Sequence, residues 1–213
     1  QTPFSLRLLV LEAIKGQKIA TALANDLRGL VLDPQATFAC RRAAGEALVE
    51  QDDESDWTAI LRTLQGYEGE LSIRLAVELL EDIGYEQIDD ELIVDLVVGY
   101  ALKGGRTIGV LMGLEKNLPE SKIEGVLDRL AVAAKRLGKR YERPGNDTLT
   151  DFAYHLIGRG MAAGGVTTEK LWSWLEPFDS SVGYQRESRQ QLDAFIRSDD
   201  RFRQAMQRYV LLE

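Results

Sequence analysis

One pattern recurs along the first part of this sequence and limits what the chain can fold into. An arginine, a short spacer and a glutamate followed by two apolar residues stand at Arg7 to Glu12-Ala13-Ile14, at Arg41-Arg42 to Glu46-Ala47-Leu48, and at Arg74 to Glu78-Leu79-Leu80. The three glutamates are 34 and 32 residues apart. Self-similarity at this period belongs to stacked helix pairs, in which each unit buries its apolar face only against its neighbours. The reading is therefore all-α: an α-α superhelix of stacked antiparallel helix pairs, a solenoid that offers an extended binding surface. The pattern names no partner.

Between the repeats, apolar residues recur at helical and not at strand spacing. Ile19, Leu23, Leu27, Leu30 and Val31 form one stripe, Trp57, Ile60, Leu61 and Leu64 the next, and Ile123, Val126, Leu127, Leu130, Ala134 and Leu137 the cleanest. No segment alternates with period two, so no sheet is expected. Helix starts are read at Thr2-Pro3 and Asp33-Pro34, each an N-cap oxygen before a proline at the first helical position. Ser121-x-x-Glu124 and Ser188-x-x-Gln191 read as capping boxes, with Asp147 and Thr167 as further caps. The pairs expected are 4–15 with 17–32, 35–50 with 54–66, 70–84 with 89–103, 107–118 with 121–141, 148–163 with 167–176, and 187–198 with 200–212. The strongest breaks are at 143–146 and 177–183. They suggest a helix-pair array over 1–143, then more irregular helical pairs over 144–213 that end in a C-terminal hairpin.

Charge is the other uneven property. From Glu50 to Asp95 fifteen acids face only Arg62 and Arg74, a net −13 inside a chain of net −8, which leaves +5 elsewhere. Much of that excess lies between Arg129 and Arg143. Such asymmetry speaks to partners rather than to fold. Cys40 is the sole cysteine, which excludes an internal disulfide and suits a reducing cytoplasm. The longest apolar stretch, Leu92 to Leu102, is interrupted by Asp95 and too short to span a bilayer, so no membrane association is expected. The start at Gln1 and the apolar run Tyr209 to Leu212 read as cuts from a larger protein.

Leu32-Asp33-Pro34, then Phe38, Arg41-Arg42-Ala43-Ala44 and Glu46-Ala47-Leu48, resembles the HEAT repeat over about one unit, Leu32 to Gln65. The resemblance fades after Gly104. It implies that Asp33 and Arg42 bond between neighbouring repeats. Leu171-Trp172-Ser173-Trp174-Leu175-Glu176-Pro177 and the hairpin around Phe195 and Phe202 are similar to helical regions downstream of the nucleotide-binding domain in bacterial NACHT/STAND-type NTPases. That similarity implies a regulatory or sensing region of a nucleotide-switching protein.

Chemistry is sparse. His155 is the only histidine, which argues against a histidine metal site or a Ser-His-Asp triad and for a packing residue. Cys40 reads as a small buried hydrophobe. Gly104-Gly105-Arg106-Thr107-Ile108-Gly109 lacks the lysine and hydroxyl of a P-loop. Gly158, Gly160 and Gly164 read as helix contact and C-cap rather than as a dinucleotide loop. Asp52 to Asp56 lacks calcium-loop spacing and reads as a helix cap. No catalytic residue, cofactor or metal is expected; an enzyme reading would have to use acids such as Asp147 or Glu169.

The expected function is a non-enzymatic binding or regulatory module whose partner is another protein or another domain of the same polypeptide. Candidate contact residues are Lys135, Arg136, Lys139 and Arg140, on the helix side opposite the apolar stripe, with Arg143 beyond them, together with Trp172 and Trp174. The two tryptophans lie two apart, so either one is an exposed anchor or both are buried on different sides. The alternative function is nucleic-acid binding through the basic segment 129–143. Overall acidity opposes phosphate binding, and basic last turns also complement a helix dipole.

Overall fold

The computed structural model describes residues 4–51, 55–104, 107–137, 147–178 and 187–212, and among these it is all-helical, without a strand. The chain divides into two compact units, Gln1–Ile88 and Asp89–Glu213. That division falls inside the 1–143 array read from the sequence and places 70–84 and 89–103, expected as one pair, in different units.

The first unit comprises α1 (Phe4–Ile14), α2 (Lys18–Ala22), α3 (Ala24–Leu32), α4 (Phe38–Val49), α5 (Trp57–Gly66), α6 (Glu70–Ile83) and a 3-10 turn, Tyr85–Gln87. Helix α4 packs between α1 and α6, while α3 packs on α4 and α5 on α6, with α3 and α5 also in contact. The helices thus lie in two layers, α1–α4–α6 and α3–α5. Helices α4 and α6 run the same way: the Arg74 guanidinium lies 5.0 Å over the Phe38 ring near their starts, and Gly45 abuts Leu79 near their ends. Ala44, Ala47, Leu48, Leu61, Leu64, Leu75 and Leu79 are fully buried between the layers. Burial of this kind, about 25 cal/mol per Å² of apolar surface, is the main stabilising term.

Two expected boundaries move. Asp33-Pro34 does not open α4. Asp33 instead turns the chain, its Oδ1 accepting from the Gln35 amide at 2.9 Å and its carbonyl from Ala36 at 3.1 Å. These bonds hold the backbone in an Asx turn, so the helix starts later, where the extended Thr37 accepts the Cys40 amide at 3.4 Å. The expected 17–32 helix is stepped at Leu23 (φ −100°, ψ 7°). The step lets Ala20 as well as Leu27 and Val31 bury themselves, with α2 and α3 both against α4.

The recurrent Arg and Glu have a shared structural role in this unit. Arg42 bonds Glu46 of its own helix (2.7 Å) and Glu78 of α6 (2.7 Å), and Arg74 bonds Glu78 (2.8 Å). Lys15, just past α1, bonds both Glu12 (2.7 Å) and Glu46 of α4. The result is a ladder of alternating charge, Glu12–Lys15–Glu46–Arg42–Glu78–Arg74, across all three helices of one layer. Burial acts to raise the Glu46 carboxyl, but hydrogen bonds from Lys15 and Arg42 outweigh it and hold the carboxyl below its ordinary range. Arg7 takes no part in this ladder: it stands five residues before Glu12, as Arg41 does before Glu46, and the ladder position in α1 is Leu8.

Arg41 points the other way. It is 3% exposed, with Nε donating to the Val31 carbonyl (2.9 Å) and Nη1 to Ser72 Oγ (3.0 Å). The Tyr67 hydroxyl donates to the Leu32 carbonyl at 2.8 Å. Together they satisfy carbonyls that the end of α3 leaves open. Burial pulls the Arg41 pKa down, against the opposing pull of Tyr67 and Asp33.

The second unit comprises α7 (Asp90–Leu102), α8 (Thr107–Asn117), α9 (Glu120–Leu137), α10 (Asp147–Ala163), α11 (Thr168–Leu175), a 3-10 turn (Glu176–Phe178), α12 (Glu187–Ser198) and α13 (Asp200–Leu212). Alternate helices again meet: α7 with α9, α9 with α11 and α11 with α13 on one side, α8 with α10 and α10 with α12 on the other. Helices α9 and α10 pack together at the centre. Val126, Leu130, Phe152, Leu156, Leu171 and Trp174 fill the core. Helices α9 and α12 start at Glu120 and Glu187, so Ser121 and Ser188 lie inside their first turns rather than at the caps.

Candidate functional site

A concavity of the second unit lies where α9, the end of α10 and the start of α11 meet. Thr167 fixes the entry to α11, its hydroxyl accepting the Lys170 amide at 3.3 Å. Before it, Gly164 and Gly165 both hold left-handed backbone (φ 85° and 82°), which only glycine adopts without strain. The two glycines end α10 and turn the chain back toward α9. Gly160 lies one turn earlier, where an added Cβ would stand 3.4 Å from Ile123 Cγ2 and 4.0 Å from the Trp174 ring. Its missing side chain lets α10 approach both neighbours.

Around this turn lies a groove of about 330 Å³, lined by Glu120, Ile123 and Glu124 of α9, Gly160 and Ala163 of α10, the 164–167 turn, and Lys170 and Trp174 of α11. Trp174 is 2% exposed and forms its floor. The indole Nε1 donates to Asp128 Oδ1 at 2.8 Å, so the buried polar edge of the ring is satisfied. Lys170 bridges Asp128 Oδ2 (2.7 Å) and Glu124 Oε1 (2.9 Å) and sits 5.7 Å from the Trp174 ring centre. Hydrogen bonds donated to Asp128 and Glu124 raise the Lys170 pKa, so this ammonium stays charged at neutral pH. Glu120 stands exposed on the rim with no ion-pair partner among the described residues. Three carboxylates around one ammonium leave the groove net negative, with an aromatic floor and apolar walls from Ile123, Ala163 and Val166.

Comparison with known proteins yields no match. No protein-family model fits the chain, and no curated protein or solved structure is similar to it. The reading of the site rests on its own geometry.

The structure gathers few of the residues expected from sequence. Trp174 is the groove floor, while Trp172, two residues away, is half-buried on another side of α11. Lys135 and Arg136 are exposed in the last turn of α9, and Lys135 pairs with Glu176 at 2.6 Å. Lys139, Arg140 and Arg143 lie outside the described residues. Arg129 reaches Glu91 at 3.6 Å. Asp33 accepts the Gln35 amide, while Arg42 bonds Glu46 and Glu78. Among the described residues no group of three His, Cys, Asp or Glu side chains could hold a metal, and no helix is long and apolar enough to cross a membrane. Sequence reasoning missed Glu120, Glu124, Asp128 and Lys170. Their signal was present: the three acids stand four apart and so share one face of α9, but Glu124 reads more readily as part of a capping box.

Outside the groove, Glu115 of α8 is 7% exposed and its Oε1 has no hydrogen-bond partner among the described residues. Burial pushes its pKa up to about 7, with Lys116 pulling the other way. Arg159 of α10 spends its donors on the Glu115 and Leu118 carbonyls (2.8 and 2.7 Å) at the end of α8. Burial, then the charges of Arg159 and Lys116, lower the pKa of His155, so this imidazole is neutral at pH 7.

Proposed function

We propose that the chain is a non-enzymatic, HEAT-like helical-repeat module that binds a segment of another protein, as a regulatory or sensing part of a larger cytoplasmic polypeptide. The layering of alternate helices within each unit supports a stacked-repeat reading. The resemblance to regions of NACHT/STAND-type NTPases supports a nucleotide-switching parent. The observation that carries the binding reading is the groove above Trp174. It holds a net-negative rim, a rigid aromatic floor and side chains already fixed by Asp128, an arrangement suited to gripping rather than to reacting. A lysine or arginine of the partner would lie between Glu120 and Glu124, and its apolar neighbour would rest on Ile123 and Trp174. Opposite charge at the rim orients encounter and makes binding sensitive to salt, because exposed charges are screened within about 8–10 Å.

The test is an NMR titration of the chain with a short peptide of alternating leucine and lysine. The same peptide with glutamate for lysine and a single-stranded oligonucleotide serve as comparisons. The lysine peptide is expected to move the Trp174 indole N–H and the Gly164 and Gly165 amides. Its effect should shrink with added salt and vanish in Glu124→Lys. Equal shifts with the glutamate peptide, or a response to the oligonucleotide alone, would reject the reading.

A further inference from the structure

The first helix is unlike the others in its layer. Leu11 of α1 is 5% exposed and packed inward, yet Leu6, Leu9 and Val10 are 49%, 65% and 51% exposed. A helix that is apolar all round belongs between two neighbours, as α4 sits between α1 and α6. On α1 only one side is covered among the described residues.

The charge ladder says what chemistry the other side expects. At each junction of the layer, the earlier helix supplies a cation and the later one a glutamate. Lys15 at the end of α1 meets Glu46 of α4, and Arg42 of α4 meets Glu78 of α6. Glu12 stands 34 residues before Glu46, at the equivalent place in its own helix. Its carboxylate is half exposed, and among the described residues it pairs only with Lys15, from its own segment. Glu12 therefore lacks the cation that the ladder brings to Glu46 and Glu78 from a preceding helix.

We propose that the exposed face of α1 docks an amphipathic helix of a partner protein, which adds one helix to the α1–α4–α6 layer and extends the ladder. That helix would set an apolar stripe on Leu6, Leu9 and Val10 and bring a lysine or arginine, from its C-terminal half, to Glu12. The site lies in the first unit and is independent of the groove above Trp174.

The test uses the full chain and two stapled, fluorescently labelled helical peptides. Both carry a leucine stripe; one has a single lysine in its last two turns and the other has glutamate there. Fluorescence anisotropy should show the lysine peptide binding about ten-fold more tightly than its twin. Glu12→Lys should reverse that preference, and Leu9→Asp should abolish binding of both. Both side chains are exposed, so thermal melts of the variants should match the parent, which separates lost docking from lost folding. Equal affinity for the two peptides, no binding of either, or binding that survives Leu9→Asp would overturn the proposal. So would self-association of the chain that Leu9→Asp dissolves, because the face would then belong to a second copy.

Discussion

Glu115 is a single carboxyl whose surroundings set a pH dependence for the second unit. Its pKa is raised from 4.5 to about 7 in the folded chain, so the folded state holds a proton that the unfolded chain has released. Its stabilising contribution is full below pH 4.5 and is lost as pH rises to about 7, a change on the order of 3 kcal/mol for a shift of this size. Its charged neighbours are Lys116 on its own helix and Arg159 of α10, whose guanidinium bonds the Glu115 carbonyl. Arg159 is committed to carbonyls and Lys116 offsets burial only in part, so the ionised carboxylate stays disfavoured. Glu115→Gln should flatten the dependence of denaturation midpoint on pH between 4.5 and 7. A midpoint that varies as in the parent would assign the dependence elsewhere. Trp174 offers a second residue-scale test. Trp174→Phe keeps much of the floor but removes the donor to Asp128, a half-exposed carboxylate that Lys170 still pairs, so the loss is that of one net hydrogen bond, about 0.5–1.5 kcal/mol. Denaturant titration should register that loss, and an unchanged midpoint would mean that the indole bond to Asp128 adds nothing to stability.

At the scale of elements, close approach depends on absent side chains. An added Cβ at Gly45 would stand 2.7 Å from Leu79 Cδ2, and Leu79 is fully buried with nowhere to move. Gly45→Ala gains helix propensity of about 1 kcal/mol, yet overpacking typically costs about 1–3 kcal/mol. The net effect expected in urea denaturation is destabilisation, and a gain in stability would mean α4 and α6 can slide apart. The ladder between the same helices is partly exposed, so a double-mutant cycle on Arg42 and Glu78 should yield about 0.5–1 kcal/mol, shrinking in salt. How much of this was legible follows from the residues. The stripes around Ile60 and Ile123 located their helices because period 3.6 is a local property. The recurring glutamates were visible too, but not their partners: that Lys15 reaches Glu46 depends on how α1 lies on α4. The start of α4 was misplaced because Asp-Pro suits a helix start and an Asx turn alike, and only the bond to Gln35 decides. In the groove, Trp174 stood out as an aromatic, whereas Lys170 is an ordinary surface lysine until Asp128 and Glu124 converge on it.

At the scale of the whole molecule, the two units should answer acid differently. In the first, Glu46 is held below its ordinary range by Lys15 and Arg42, so its stabilising contribution is present above about pH 4.5 and lost as pH falls through its depressed value. In the second, protonation of Glu115 relieves a buried charge over the window from 7 down to 4.5. Trp57 lies in the first unit, and Trp172 and Trp174 in the second, so tryptophan fluorescence can follow them separately. In Trp57→Phe the remaining signal should hold or gain stability as pH drops from 7 to 4.5. With phenylalanine at positions 172 and 174, the Trp57 signal should weaken below 4.5. Identical profiles would mean that the ladder and Glu115 do not govern the response. The ladder has a further consequence, for how such a chain can change in length. Each rung joins only adjacent helices of its layer, and the glutamates recur at 34 and 32 residues. Duplicating or deleting a whole block of that length hands each charge an equivalent partner. A lone residue inserted between Arg42 and Glu46 would instead rotate one past the other by about 100°, breaking contacts on both sides at once. Lineages of this chain should therefore vary by whole repeats and keep α4 free of small insertions, a pattern that comparison of related genes can check.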